Sequence, residues 1–481
     1  MEGTSEIYPN DGGAGMIAKK DLEEVLQAAL GGGDFAEIFL ERRTQTRVSC
    51  EDRKIERVIS GREEGAGIRI VKGDSTAYGY TTDLSKEGLL KLAELVARGR
   101  RSSTPALMLP DKEKAPTSST IKERPDRVGI ERKVALVREA EEAARSVDEK
   151  LVRQVTVGYA DVLQQVTIAN SEGVFVEDER VRCRLVVNVV ASDGQVIQTG
   201  YESAGGTRGL ELFEEGKPAA LGRRAAERAL LMLKARRAPA GRMPVVISGE
   251  AGGTMIHEAC GHGLEADLVQ KNLSVYAGKK GEQVASELVT VIDDGTLPGK
   301  YGAFRFDDEG NPSQRTVLIE KGILRGYMYD RMTAARDGAE PTGNGRRESF
   351  RHRPIPRMST TYLAPGKDSP EEIIRDTKNG LFVRKMGGGQ VNTTTGDFVF
   401  EVLEGYLIED GKVTVPVRGA TLTGNGPEVL RIIDRVGNDL GFSLGTCGKD
   451  GQGVPVSDAQ PTIRIPELVV GGILEEEGDL R

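Results

Sequence analysis

Apolar residues first recur at helical spacing over residues 21–30, where Leu22, Val25, Leu26, Ala29 and Leu30 share one side. Gly31 to Gly33 end that run. Short strands are predicted near 36–40, 47–49 and 68–71, and a helix from about 86 to 99, with Asp83 and Ser85 as caps. Residues 102–125 carry Pro105, Pro110, Pro116 and Pro125 among Ser, Thr and Lys, and read as a connection. A charged amphipathic helix is predicted over about 127–145. The clearest β-pattern follows, alternating through Val166/Ile168, Val174/Val176 and Val181/Cys183/Leu185/Val187/Val189. Turn signals at Asn170-Ser-Glu-Gly173 and Asp193-Gly194 make this a meander with one buried face. A helix over about 218–235 closes this half.

Residues 236–244 (RRAPAGRMP) have no periodicity and mark the best boundary. Beyond it, only the His257–His262 segment and the stretches 370–378 and 427–436 look helical. The remainder reads as short strands broken at Asp294-Gly295, Glu309-Gly310-Asn311, Lys321-Gly322 and Asp410-Gly411. The expected organisation is a disordered extension at 1–15, an N-terminal domain at 16–236 with a sub-boundary inside 102–125, and a C-terminal domain at 237–481. The expected class is α+β: an N-terminal α/β unit on a mainly antiparallel sheet, then a β-rich, sandwich- or barrel-like unit bearing the motif helix. Sixty-one glycines and no tryptophan among 481 residues agree with many tight turns and modest aromatic cores.

Charge narrows the partners. Lys plus Arg is 66 against 74 for Asp plus Glu, a formal net charge of −8. A duplex-binding face needs clustered excess cations, whereas the basic runs Arg98–Arg101 and Arg346-Arg347 are short. No nucleic-acid partner is expected. No apolar run approaches the ~20 residues that span a bilayer, so no membrane association is expected either. The polar N-terminus lacks the apolar core of a signal peptide. Four cysteines without framework spacing suit a reducing compartment, and a cytoplasmic location is expected.

The chain has three histidines, His257, His262 and His352. Two flank a glutamate as His257-Glu258-x-x-x-His262. Neutral imidazoles bind zinc, and a carboxylate beside the first of them can take a proton from an activated water. The spacing is not that of the familiar HExxH helix. Five residues turn an ideal α-helix by about 500°, leaving the second ring about 140° off the face of the first. Both rings can meet one ion only if the helix is locally widened, as a π-type turn would do, eased by Gly261 and Gly263. Metal sites of this kind want a third protein ligand. Cys447, in the glycine-rich Gly445–Gly453 stretch read as a loop, would make a His₂Cys site. Cys260 and His352 are the other candidates. Cys260 more naturally packs the helix, and the flanking Arg351 and Arg353 suit a substrate- or anion-facing loop around His352. Cys183 falls on the apolar phase of its strand and reads as core; Cys50, among charged residues, carries no signal.

At this point the residues resemble a known family. His257-Glu-Ala-Cys-Gly-His-Gly-Leu-Glu-Ala-Asp267 is similar to the signature of the TldD/PmbA metallopeptidases. So are Pro356-Arg-Met-Ser359, Arg418-Gly-Ala-Thr-Leu-Thr-Gly-Asn-Gly426, Gly445-Thr-Cys-Gly-Lys-Asp-Gly-Gln452 and Pro461-Thr-Ile-Arg464. Gly79-Tyr-Thr-Thr-Asp-Leu-Ser85 extends the likeness into the N-terminal half, so that it spans about 16–472. The resemblance implies the motif-bearing, TldD-type subunit, with His257, His262 and Cys447 as zinc ligands and Glu258 as general base. It also implies cleavage of unfolded peptides, including precursors of modified peptide antibiotics and antitoxins. The assembly it implies is a cavity-enclosing dimer, either of two copies or with a motif-less family partner. The chain departs from the pattern at Thr446 and in its N-terminal extension, neither of which changes a ligand.

The reading that follows is a zinc-dependent peptidase acting on extended peptides, held by strand addition to an exposed sheet edge. Gly387–Gly389 and the 445–453 segment are the candidates for close backbone approach, unless they are simply turns. Two rivals differ in class. A zinc-stabilised scaffold could trap peptides without turnover, but it would have no need of Glu258. A small-conjugate amidase would be excluded by a cavity that admits long peptides.

Overall fold

The computed structural model describes residues 17–97, 107–114 and 121–472. The expected extension at 1–15 and much of the connection at 102–125 lie outside the described residues. Helices form at Lys19–Leu30, Lys86–Val96, Ile130–Arg145 and Lys217–Leu233, where the periodicity puts them. Ser85 caps the second, its hydroxyl accepting from the Gly88 N–H at 3.1 Å. Asp83 braces the cap by accepting from the Ser85 hydroxyl at 2.6 Å.

The short strands predicted before residue 72 are pieces of two long ones, Phe35–Glu51 and Lys54–Lys72. Asp52 (φ 46°) and Arg53 (φ 69°) join them in a two-residue left-handed turn. Glycine usually signals such a turn; here none does, and the hairpin was hidden. Cys50, which carries no signal in the sequence, lies at the end of the first strand and is fully buried. The sheet runs in the order Ser75–Thr81, Lys54–Lys72, Phe35–Glu51, Val152–Asn170, Phe175–Ser192. Ile197–Gly206 then pairs antiparallel, and the short Glu113–Lys114 parallel, with Phe175–Ser192.

Alternation along Phe35–Glu51 sorts its two faces. Ile38, Leu40, Val48 and Cys50 pack among the helices. Phe39, on the opposite face, meets Phe306 and Phe350 of the C-terminal half. That second contact is also buried charge. Glu37 receives Arg69 at 2.8 Å and Arg347 at 2.6 Å, and Arg180 meets Asp308 at 2.6 Å.

The C-terminal half is β-rich and barrel-like. Five strands close on themselves: Gly241–Ile247, Asn379–Val391, Asp397–Glu409, Thr421–Asn425 and Ile463–Gly471. Beside the barrel lies a six-stranded sheet in the order Ile323–Leu324, Arg315–Glu320, Val291–Asp294, Thr360–Leu363, Gln452–Gln460, Gly441–Lys449. The fold is thus α+β. Among the described residues of this half, two α-helices escaped the pattern, Ala266–Gln270 and Arg331–Asp337, each too short to show a period. The second does carry a capping box, Asp330 with Thr333. Among the described residues no helix is long and apolar enough to cross a membrane.

Burial alone would raise the Glu37 carboxyl, but Arg69 and Arg347 hold it below the ordinary value. Glu37→Gln leaves two buried guanidinium groups short of a counter-charge. The expected loss of stability is about 3–5 kcal/mol in urea unfolding. Removing Arg242 from its exposed pair with Glu467 should cost less than about 1 kcal/mol.

Candidate metal centre

The strand Gly241–Ile247 leaves the barrel and enters a 3-10 turn, Gly249–Ala251, where the Ser248 hydroxyl accepts from the Glu250 N–H at 3.1 Å. The chain then passes very close to the strand Gln452–Gln460. A Cβ on Gly253 would lie 2.1 Å from the Ala459 nitrogen, so only glycine fits. One α-helical turn, Thr254–Ile256, leads into a π-turn, His257–Gly261. The bond that defines the widening joins the two histidines themselves: the His262 N–H donates to the His257 carbonyl. Their rings stand 5.0 Å apart at 85°.

Gly261 plays a different part from the one expected. Its φ of −52° is open to any residue. What it supplies is space, since a Cβ would sit 2.3 Å from Met358 Sδ. Gly263 likewise makes room for the Tyr276 ring, which a Cβ would meet at 2.8 Å.

Cys447 arrives from the other side of the chain's fold. The Gly445–Gly453 stretch is a β-hairpin rather than a loop, with Cys447 paired to Val454 between Gly441–Lys449 and Gln452–Gln460. Its sulfur lies 3.4 Å from His262 Nε2. His257, His262 and Cys447 each offer a ligand atom, all within 4.8 Å of one another. Two nitrogens at about 2.0 Å and one sulfur at about 2.3 Å from a tetrahedral zinc would be about 3.3–3.6 Å apart. The sulfur–nitrogen separation already matches, and the donor set fits a metal.

The remaining candidates are elsewhere. Cys260 donates to the Ile256 carbonyl at 3.3 Å and is fully buried, its thiol pushed up to about 12 by burial. Cys183 is core, as read. His352 faces Ser349 at 3.1 Å and is absent from the metal-type cluster.

Sequence reasoning missed the groups behind the ligands. Glu265 lies 3.1 Å from His262 Nδ1, and Lys449 pairs with Glu265 at 3.1 Å. Asp458 stands 3.8 Å from His257 Nδ1. Glu265 and Lys449 sit inside the motifs quoted above, but only the fold shows whom they face. Burial alone would raise Glu265, yet Lys449, His262 and Arg357 bring it down to about 2. Burial would likewise raise the Cys447 thiol, but hydrogen bonds from both imidazoles lower it to about 5. Burial opposes charge on both rings, but Cys447 raises His257, and Glu265 with Cys447 raises His262 well above the usual value. The Cys447 thiol and the two imidazoles thus shift in opposite directions, each favouring the charged form of the other.

A cleft of about 970 Å³ opens over these side chains. Its walls include His257, Glu258, His262 and Cys447 from the C-terminal half, and Asn188, Tyr201 and Ser203 from the N-terminal sheet. Gly387–Gly389, which the sequence left as either turns or points of close approach, are no turns. They belong to a bulged stretch of the strand Asn379–Val391 and line the cleft. Gly441–Lys449, also lining it, is the edge strand of its sheet.

Metal-free protein treated with iodoacetamide at pH 7 should label Cys447 well before Cys50, Cys183 and Cys260. Because the Cys447 value is depressed, labelling persists until pH falls through about 5. Mass spectrometry of the modified peptides reads the order, and added zinc should protect Cys447.

Comparison with known proteins places the chain among metallopeptidases. The family described as PmbA/TldA metallopeptidase matches in three stretches: domain 1 over residues 36–100, the central domain over 123–233, and the C-terminal domain over 240–472. A protein named metalloprotease TldD homolog from Haemophilus influenzae is 38% identical over 449 residues, covering 91% of this chain and 93% of that one. A metalloprotease from Methanothermobacter thermautotrophicus is 40% identical over 441 residues, covering 91% and 96%. The crystal structure of TldE from Thermococcus kodakarensis shares the fold, with a TM-score of 0.74 at 21% identity, covering 94% of this chain and all 100% of that chain. The chain belongs to the PmbA/TldA family of metallopeptidases.

Proposed function

We propose that this chain is a zinc-dependent peptidase that hydrolyses peptide bonds in extended, unfolded peptides. The observation that carries the reading is the convergence of His257, His262 and Cys447, within 4.8 Å of one another, beside Glu258 in one cleft. Two imidazoles and a thiolate suit zinc, and three protein ligands leave a position open for chemistry. Zinc bound there supplies Lewis-acid activation of a water and of the scissile carbonyl. Glu258 takes the proton of the attacking water as the C–O bond forms. It returns that proton to the departing amine as the C–N bond breaks. Burial lifts the Glu258 carboxyl above the ordinary value, only partly opposed by His257 and His262, and a stronger base results.

The substrate is held as an added strand. The strand Gly441–Lys449, which carries Cys447, is the edge of its sheet and lines the cleft. Pairing through backbone reads no side chains and accepts many sequences. The bulged 385–391 stretch lines the same cleft. A second subunit, either another copy or a motif-less relative with the TldE fold, closes the cleft and admits only unfolded chain. The scaffold alternative has the same ligands, but it gives no role to a base-type carboxylate in the cleft.

Glu258→Gln should retain wild-type zinc content and lose cleavage of an unfolded peptide library by about 10²–10⁴-fold. Metal analysis and mass spectrometry of the digest are read on the same preparations. Zinc-loaded variant and wild type with equal turnover would refute the general-base role, and zinc-loaded wild type with no turnover would favour the scaffold.

A further inference from the structure

The reaction as written uses His262 but leaves unexplained the charges stacked behind it. Glu265 is fully buried, and its Oε2 lies 3.1 Å from His262 Nδ1. That same oxygen is 3.1 Å from Lys449 Nζ, while Arg357 Nε stands 3.9 Å from the other oxygen. Lys449 is itself fixed, donating to Asp267 Oδ1 at 2.6 Å and to the Pro356 carbonyl at 2.9 Å. Burying so many ionised groups is unfavourable unless their geometry is well met, and barrel packing alone gives no reason for it.

The arrangement has a direction. A neutral imidazole offers a lone pair at one nitrogen when the other carries the proton. A carboxylate at Nδ1 accepts that N–H, which leaves the lone pair at Nε2, the atom 3.4 Å from Cys447 Sγ. Lys449 holds the oxygen that faces the imidazole, while Arg357 adds only charge near the other oxygen, so the Lys449 contact steadies the carboxylate and with it the imidazole plane. Lys449 and Cys447 stand two residues apart on one strand, and their side chains leave the same face. One strand therefore delivers both the thiolate and the cation that steadies the carboxylate behind the second imidazole. His257 has no such support: its Nδ1 is 3.8 Å from Asp458, beyond hydrogen-bond reach.

We infer that Glu265 and Lys449 are positioning residues of the metal centre, Glu265 setting the tautomer and ring orientation of His262, and Lys449 setting Glu265. The inference rests on His262 being a metal ligand, as proposed above. Carboxylates behind metal-bound imidazoles act this way in general.

The test uses the full chain with Glu265→Gln, Lys449→Met and Lys449→Arg, and His262→Ala as control. Metal-free proteins are titrated with zinc against a chromophoric chelator, and visible spectra are taken of the cobalt(II) forms. Glu265→Gln and Lys449→Met should each weaken zinc about 10–100-fold, and Lys449→Arg, which still donates, should recover most of the loss. The cobalt forms should keep their sulfur-to-metal band while the d–d bands move. If His262→Ala leaves zinc affinity unchanged, the ligand reading itself fails. If His262→Ala weakens zinc but Glu265→Gln and Lys449→Met stay within about twofold of wild type, the positioning inference is overturned. It is equally overturned if those variants lower the metal-free melting temperature while zinc affinity and the cobalt spectrum hold, because the network then only packs the hairpin.

Discussion

Two imidazoles five residues apart point about 140° away from each other on a regular α-helix, and a ring on a one-carbon stem cannot reach across that angle. The centre of this protein depends on how the chain meets that constraint. It widens one turn, so that the His262 N–H reaches the His257 carbonyl and both rings come to one side. Widened turns are rare because regular helical bonding competes with them, and this one is held by its surroundings. The Tyr276 hydroxyl donates to the Ala259 carbonyl at 3.0 Å, and the Cys260 thiol to the Ile256 carbonyl at 3.3 Å. Met358 occupies the space that Gly261 leaves open. The motif is thus a local sequence whose geometry is enforced partly from within, by Cys260, and partly from outside, by Tyr276 and Met358.

The third donor shows the same dependence on distance in sequence. Cys447 reaches the histidines because its strand pairs with Gln452–Gln460, which runs parallel to Thr360–Leu363 and passes directly against Gly253. A small side chain at Gly253 would push the histidine segment off that strand. The N-terminal sheet completes the cleft with Asn188, Tyr201 and Ser203, and it is held to the C-terminal half by buried charge, Arg180 with Asp308 and Arg347 with Glu37. Cleft shape and the union of the two halves are one property of the fold.

Residue chemistry alone made the histidine pair, its glutamate and the need for a widened turn legible, because histidine is rare in this chain and the helical angle is simple arithmetic. It left Cys447, Cys260 and His352 open as third ligand. Its glycine-rich surroundings put Cys447 ahead of the other two and the family resemblance assigned it as ligand, though nothing local marks a strand residue as a partner of a helix far away. Glu265, Lys449 and Asp458 stayed hidden for that reason: each is an ordinary charged residue until the fold shows what it faces. The first long hairpin was missed because Asp52 and Arg53, rather than glycine, adopt its left-handed turn. Amphipathic helices were recovered well, as at Ile130–Arg145, where the period is long enough to read. The 445–453 hairpin was misread because its glycines resemble a loop, whereas pairing between strands decides its structure.

The central claim is that one zinc ion is held by both motif histidines and the hairpin cysteine. X-ray absorption at the zinc edge of the loaded protein tests it most directly. The account predicts one sulfur at about 2.3 Å, two imidazole nitrogens and one further light atom at about 2.0–2.1 Å, with the sulfur shell lost in Cys447→Ser. A shell without sulfur in the unaltered protein, or a sulfur shell that survives Cys447→Ser, would contradict it.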